Sequence, residues 1–285
     1  MYDFFLGSCP KNLDEEINYL ISVKRLLPRW INSIPDSEFA TICTIIHDLG
    51  NRATITGEKL CLIETGVGAS SIAIVFYAIK HHGLALTWDF NSKKGSEIRT
   101  ACVETICTLF SANINSVWKL IGYNSRSPYL GIGITSEWTD TVHFTMHDSE
   151  HVWENVEGEL NLVDPFLKDG SVVAVDDAYY TFLHTDTAYI NLTRKKLGLK
   201  AINSIEGNVC QSHSIEAENF LKKRWGKVKS LAGDYQKICQ DDVSIAYFNN
   251  ELKVRSSLGM EQVQQLETRF GVWEVKSRLR QKEEK

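Results

Sequence analysis

The sequence has no apolar stretch long enough to cross a membrane. Its longest uninterrupted apolar run, residues 72–79, falls far short of the ~20 residues that a transmembrane helix needs. No basic segment precedes an apolar one near the N-terminus, so we expect no secretory signal. Seven cysteines are an odd number and include no C-x-x-C pair, which indicates reduced thiols rather than a disulfide framework. These absences predict a cytoplasmic protein with no membrane partner.

The chain also lacks an excess of positive charge. Its formal net charge is −5 at pH 7, so there is no electrostatic case for binding nucleic acid. The one basic stretch, residues 222–229, is interpreted as the solvated face of a helix. No repeat, low-complexity linker or proline-rich hinge divides the 285 residues, of which 43% are apolar. We therefore expect one large core, and a homo-oligomer is compatible with this composition.

Three segments of the chain differ in pattern. Residues 1–58 have apolar side chains at helical spacing and no chemical motif, so we expect an N-terminal helical cap. Residues 59–250 alternate β-branched runs with helical patterns, which predicts an α/β class protein with a doubly wound, Rossmann-like parallel sheet. A basic helix at 214–231 and a late, antiparallel strand at 243–248 complete this domain. Residues 251–285 are predicted to form a charged C-terminal helix.

The first predicted strand ends in a glycine turn. Glu64 closes the strand, Gly66 and Gly68 follow, and a helix starts at Ser70. Glycines allow a tight turn and a close ligand, and the N–H groups of a helix start can receive an anion. The second predicted strand ends in Asp89, where an acid can accept hydrogen bonds from both hydroxyls of a ribose. This combination predicts a nucleoside-containing ligand; the structural alternative is a plain glycine turn with a solvated aspartate.

Two later predicted strands, residues 142–146 and 172–175, stop at carboxylates. Asp148 follows the first strand, and Asp176 and Asp177 follow the second. A right-handed crossover sets two such strands side by side, with their acidic ends on one rim. Carboxylates packed together repel unless a cation joins them, which implies a divalent metal or a cationic cofactor. In the structural alternative, Asp148 orders a turn and Asp177 caps a helix.

Taken together, these segments resemble the class I S-adenosylmethionine-dependent methyltransferases. The similarity spans residues 59–180, and its motifs occupy residues 63–68, 88–89, 122–125, 148–154 and 167–177. The chain is most similar to the small-molecule O-methyltransferases that include macrolide-sugar methyltransferases and cephalosporin-hydroxylase-like proteins. The resemblance implies methyl transfer from S-adenosylmethionine to a hydroxyl of a sugar, nucleotide-sugar or natural-product intermediate.

For the cofactor, the resemblance distributes binding residues over three neighbouring strands. The methionine part would lie along the glycine turn, the ribose at the second strand and the adenine after the third. The residues implied are Glu64, Gly66, Gly68 and Ser70 for the methionine part, Asp89 for the ribose, and Asn124 and Ser125 for the adenine.

For catalysis, the resemblance implies a magnesium ion held by Asp148, Asp176 and Asp177. Oxygen ligands of this kind suit Mg²⁺, and a bound cation lowers the pKa of a coordinated hydroxyl. His151 stands three residues after the first ligand, where catechol O-methyltransferase has its general base. The alternative for His151 is a hydrogen-bonded neighbour without a catalytic role.

Two other functions stay open. A nicotinamide-dependent oxidoreductase would share the glycine turn, but it gives Asp176 and Asp177 no role. Ser71 also stands where the third glycine of the dinucleotide fingerprint belongs. A non-catalytic binding or scaffold subunit would retain the fold and offer its charged C-terminal helix to a partner. A binding preference for S-adenosylmethionine over a nicotinamide cofactor would exclude the oxidoreductase. Catalytic turnover would exclude the non-catalytic subunit.

Overall fold

A computed structural model of the chain describes residues 9–28, 31–32, 34, 36–122, 135–149, 153–176, 195, 198, 200–201, 213–231 and 271–279. Its strands are β1 (Cys61–Thr65), β2 (Leu84–Asp89), β3 (Trp118–Gly122), β4 (Val142–His147), β5 (Leu167–Val175), β6 (Trp225–Ser230) and β7 (Gly271–Arg278). Its helices are α1 (Leu13–Lys24), α2 (Asp36–Thr56), α3 (Ser70–Lys80), α4 (Ser92–Cys102), α5 (Ile114–Val117), α6 (Trp153–Val163) and α7 (His213–Arg224). A π-helical segment, Val103–Cys107, and a short turn, Thr108–Phe110, extend α4.

The seven strands form one sheet in the order β3-β2-β1-β4-β5-β7-β6. The pairs among β1 to β5 are all parallel, whereas β7 runs antiparallel to β5 and to β6. The structure thus confirms a doubly wound, Rossmann-like α/β fold with a late antiparallel strand. The segment predicted for that strand, residues 243–248, lies outside the described residues, and β7 is the antiparallel strand observed.

Helices cover both faces of the sheet because successive strand residues point to opposite sides. Leu62 of β1 packs in a core with helices α1 to α4, and Ile63 packs in a second core with α6 and α7. Helices α1 and α2 agree with the helical pattern of residues 1–58 where that segment is described. Both pack in the same core as α3, so the described part of that segment adds to the first layer of the domain.

The prediction of a C-terminal helix is wrong for residues 271–278, which form β7. The first five residues of β7 are buried, and the strand lies between β5 and β6. Val272, Trp273 and Val275 favour a strand once distant partners are available, because β-propensity depends on packing against neighbouring strands. The high charge of residues 251–285 favours an exposed helix. In β7, however, the exposed charged residues lie together at the C-terminal end of the strand.

The predicted helix at 214–231 is also corrected at its C-terminal end. The helix ends at Arg224, and residues 225–230 form the edge strand β6. Lys227 and Lys229 of β6 are exposed. Lysines on an edge strand disfavour pairing with another chain, so the second half of the basic stretch, residues 225–229, has the composition of a solvated surface without being helical.

In the described part of the chain, every helix is too short or too polar to cross a membrane.

Candidate functional site

Four strands end side by side where the strand order of the sheet reverses. β1 pairs with β2 on one side and with β4 on the other, and β4 pairs with β5. Ligands of doubly wound sheets bind outside the carboxyl ends of strands at such a switch point. The acidic residues at these four ends are Glu64, Asp89, Asp148 and Asp176. The fold therefore gathers on one rim four of the acids that the sequence predicts for the site, and the fifth, Asp177, lies outside the described residues.

The two glycines of the turn after β1 have different roles. Gly66 has a φ of +84°, and a β-carbon there would lie 1.7 Å from the carbonyl oxygen of Asp148. Gly66 is therefore required by the close packing of this turn against the end of β4. Among the described residues, a β-carbon on Gly68 would meet only Ser70 Oγ at 3.7 Å and Lys94 Nζ at 3.9 Å. The described part of the chain therefore leaves space for a ligand above Gly68.

Asp89 ties the glycine turn to the start of α4. Its Oδ2 accepts a hydrogen bond from Val67 N at 2.6 Å, and its Oδ1 accepts one from Asn91 N at 2.5 Å. Burial raises the pKa of Asp89, although these two N–H groups act in the opposite direction. A carboxylate has about four acceptor positions, so Asp89 retains capacity for ribose hydroxyls.

Glu64 lies beneath the turn with no exposed surface. Its carboxyl group accepts hydrogen bonds from the hydroxyls of Ser70, Ser71 (2.5 Å) and Thr87 (3.3 Å). Burial raises the pKa of Glu64 to about 8, and the serine hydroxyls lower it only in part. Ser71 Oγ also accepts from Gly68 N at 3.1 Å. Glu64 and Ser70, both implied to contact the cofactor, thus support the turn from inside the protein.

Asp148 and Asp176 follow neighbouring positions of two paired strands. His147 of β4 is in register with Val175 of β5, and Asp176 N donates to the carbonyl of His147 at 2.9 Å. Both aspartates are partly exposed. Within the described ranges, no group of three or more His, Cys, Asp and Glu side chains is placed to hold a metal. The other residues implied for the site, Asn124, Ser125, His151 and Asp177, lie outside those ranges.

A buried polar network that no sequence motif predicts joins β1, β4 and α6. Glu159 Oε2 accepts from Thr65 Oγ1 at 2.7 Å and lies 2.9 Å from His147 Nδ1. Glu159 Oε1 accepts from Ser149 Oγ at 2.5 Å and Asn155 Nδ2 at 2.9 Å. The side chains of His147 and Glu159 have no exposed surface. The network therefore anchors the residues on either side of Asp148.

A sequence signal for this network exists. Glu159 shares helical spacing with Val156, Leu160 and Val163, all of which are buried on α6. An acid on the apolar stripe of a helix is a buried charge, and a buried charge needs partners. A glutamate among apolar residues at helical spacing is therefore the sequence signal that indicates this network.

Comparisons with known proteins give weak similarities. No family model and no curated protein sequence matches the chain. Among solved structures, an O-methyltransferase of tomaymycin synthesis from Streptomyces achromogenes, bound to S-adenosylmethionine, has a TM-score of 0.43 at 11% identity, over 80% of this chain and 86% of that one. A methyltransferase from Podospora anserina, bound to S-adenosylhomocysteine, scores 0.43 at 12% identity, over 81% and 88%. An O-methyltransferase from Bacillus cereus scores 0.38 at 15% identity, over 60% and 69%. Scores below 0.5 are too low to assign a function, which has to be inferred from the residues of this chain.

Proposed function

We propose that this protein is a class I S-adenosylmethionine-dependent methyltransferase that acts on a hydroxyl of a small molecule. The observation that carries the proposal is the open space above Gly68, at the switch point of a doubly wound sheet, next to Asp89. Contacts within the protein hold the turn in place, because Gly66 packs on Asp148 and Asp89 accepts a hydrogen bond from Val67 N. A preorganised turn lowers the entropic cost of binding.

The described residues fit a nucleoside cofactor. Asp89 would accept hydrogen bonds from the ribose with its remaining lone pairs. Phe90, the next residue, is 62% exposed, and an exposed aromatic ring at this place offers a surface on which a base can stack. The methionine part would lie over Gly68, with Glu64 and Ser70 holding the turn beneath it. The bound cofactor would supply a methyl group on a sulfonium, which an acceptor oxygen takes by in-line displacement.

The proposed magnesium ion would lie at the ends of β4 and β5, where the described residues supply two carboxylates and not a group of three ligands. Asp148 and Asp176 are oxygen donors on adjacent, hydrogen-bonded strand ends, and Mg²⁺ accepts one or two carboxylates together with substrate oxygens. Asp177 would be the third ligand. Bound there, the ion would lower the pKa of the acceptor hydroxyl and fix its position. The Glu159 network would keep Ser149 and His147, and hence Asp148 between them, in place.

His151 is proposed as the general base for the acceptor hydroxyl. It follows the anchored pair Asp148 and Ser149 and precedes α6, so a neutral imidazole there could take a proton within reach of the metal-held oxygen. The acceptor itself would be a hydroxylated small molecule such as a sugar, nucleotide-sugar or natural-product intermediate.

No observation favours the two alternatives over methyl transfer. For a dinucleotide, the third glycine of the fingerprint serves close helix–strand packing. Ser71 occupies that position here and is engaged with Glu64 and with Gly68 N. Ser71 therefore stabilises the turn through its hydrogen bonds. A scaffold role does not require the space for a ligand above Gly68.

The experiment that tests the proposal compares cofactors by thermal unfolding. A ligand at 100 times its Kd stabilises the folded state by about 2.7 kcal/mol, so S-adenosylhomocysteine should raise Tm by several degrees and NAD⁺ should not. A rise with NAD⁺ alone would favour the oxidoreductase. A rise with S-adenosylhomocysteine, without methyl transfer to any of a panel of sugars, nucleotide-sugars and phenols, would favour the non-catalytic subunit.

A further inference from the structure

Lys94 is a cation in an unfavourable place on its helix. Helix α4 begins at Ser92, and the side chain of its N-cap, Asn91, accepts a hydrogen bond from Lys94 N at 3.1 Å. Lys93 and Lys94 both lie in the first turn, where the helix dipole disfavours positive charge. A residue that breaks a local rule without a compensating gain marks a place to look for function. Nothing in the local structure of α4 calls for a lysine at position 94.

The ammonium group of Lys94 lies over the glycine turn. Its Nζ is 3.9 Å from the position of a β-carbon on Gly68, so it borders the open space described above. Its positive charge lowers the pKa of both Glu64 and Asp89, which places it within electrostatic range of both carboxyl groups. The side chain is half-buried.

No carboxylate of the described residues balances this ammonium directly. None of the ion pairs within 4.0 Å involves Lys94. Burial raises the pKa of Glu64 to about 8, which favours its neutral form. Asp89 lies within electrostatic range of Lys94, but the two side chains form no ion pair within 4.0 Å. A partly desolvated cation is costly without a direct partner, and since the described residues supply none, the space beside Lys94 is where an anion would fit.

We infer that Lys94 binds the terminal carboxylate of the cofactor's methionine part. This inference rests on the proposed function, since it takes the ligand to be S-adenosylmethionine or S-adenosylhomocysteine. That carboxylate is the only anionic group of the cofactor. A hydrogen bond between ammonium and carboxylate is shorter and stronger than one between neutral groups. Lys94 therefore selects cofactors that carry the amino-acid part over plain adenosine thioethers.

The experiment measures two ligands by calorimetry on the full chain. S-adenosylhomocysteine carries the carboxylate, and 5′-deoxy-5′-methylthioadenosine has the same nucleoside and thioether without it. We expect Lys94→Met to weaken S-adenosylhomocysteine binding by about tenfold or more, since a hydrogen bond to a charged group is at stake. The same variant should bind methylthioadenosine within about twofold of the wild type. Lys94→Arg, which retains the charge, should recover most of the lost affinity.

The controls separate the inference from its alternatives. Lys93→Met removes an exposed cation from the same helical turn and should leave both affinities unchanged. Equal weakening of both ligands by Lys94→Met would mean that Lys94 only maintains the turn, and no weakening of either would mean that it has no part in binding. Both outcomes overturn the inference while the proposed function stands. A wild-type protein that binds neither ligand would overturn both.

Discussion

The carbonyl oxygen of Asp148 lies 1.7 Å from the place that a β-carbon on Gly66 would occupy. The two residues belong to turns after β1 and β4, which are paired strands. Asp148 N also donates to Thr65 O at 2.9 Å. The turn that would hold the cofactor and the turn that carries a proposed metal ligand are therefore packed against each other, so a change in one should disturb the other.

Gly66→Ala should destabilise the protein strongly. The φ of +84° and the contact with backbone both oppose a side chain, and we expect a loss of at least about 3 kcal/mol in the free energy of unfolding, measured by urea denaturation. Gly57→Ala is the matched control, because Gly57 also has a positive φ of +70° but no atom within 4 Å of its β-carbon position. That variant should lose only about 1 kcal/mol. Equal losses would contradict the close packing at Asp148.

Glu64→Gln should change the pH dependence of stability. Because burial raises the folded-state pKa of Glu64 to about 8, above its usual 4.5, the folded state binds the extra proton. The contribution of Glu64 to the free energy of unfolding is complete below the pKa that Glu64 has in the unfolded chain. It is lost as the pH rises from there toward 8, by about 1.4 kcal/mol for each pH unit. The wild type should therefore lose roughly 1 to 2 kcal/mol more than Glu64→Gln between pH 6.5 and 8.

Chemical denaturation of both proteins at several pH values measures this difference. Glu104→Gln, at an exposed position, serves as the control and should follow the wild-type curve. Parallel curves for the wild type and Glu64→Gln would show that Glu64 ionises normally in the folded protein.

Glu159→Gln should cost about 2 kcal/mol of stability, because one of the two buried carboxylate oxygens is replaced by an NH2 donor and the hydrogen bonds that it accepts are lost. Thr65 and His147 contact Oε2 and Ser149 contacts Oε1, so one side of the network loses its acceptor in either orientation of the amide. Glu157→Gln on the same helix changes an exposed residue and should be nearly neutral. If the two variants unfold at the same denaturant concentration, the network does not stabilise the fold.

The sequence predicts the parallel part of the sheet well, because each of its strands is a short, mostly apolar run that is followed closely by glycine or an acid. β6 and β7 are not predictable in the same way. Their strand state depends on pairing with β5 and with each other across long stretches of chain, whereas their charges locally resemble a helix. Long-range pairing outweighs local propensity in both cases.

The sequence predicts that the acids of the site lie at strand ends, but it does not predict their hydrogen-bond partners. Motif and strand order place Glu64 and Asp89 at strand ends, and the structure agrees. Their partners are set by the turn: Ser70 and Ser71 enclose Glu64, and two backbone N–H groups reach Asp89. Lys94 could not be predicted because a lysine early in a helix carries no motif, and its proximity to Gly68 comes only from the packing of α4 against α3.

Asp148→Asn combined with Asp176→Asn should abolish most Mg²⁺ binding. Loss of residues that merely orient metal ligands costs 10- to 100-fold in affinity, and we expect loss of two ligands to cost at least about tenfold by calorimetry. Asp140→Asn, at an exposed position before β4, should bind Mg²⁺ as the wild type does. Unchanged binding in the double variant, or full methyl transfer in excess chelator, would contradict the metal assignment.

The most direct test of the central claim is calorimetric titration of the wild-type protein with S-adenosylhomocysteine, repeated with Asp89→Asn. The account predicts one binding site in the wild type and an affinity loss of roughly tenfold or more in the variant. An amide would lose hydrogen bonds to the ribose, and it cannot accept from both Val67 N and Asn91 N. The absence of detectable binding to the wild type at millimolar ligand would contradict the claim, as would an Asp89→Asn variant that binds with wild-type affinity.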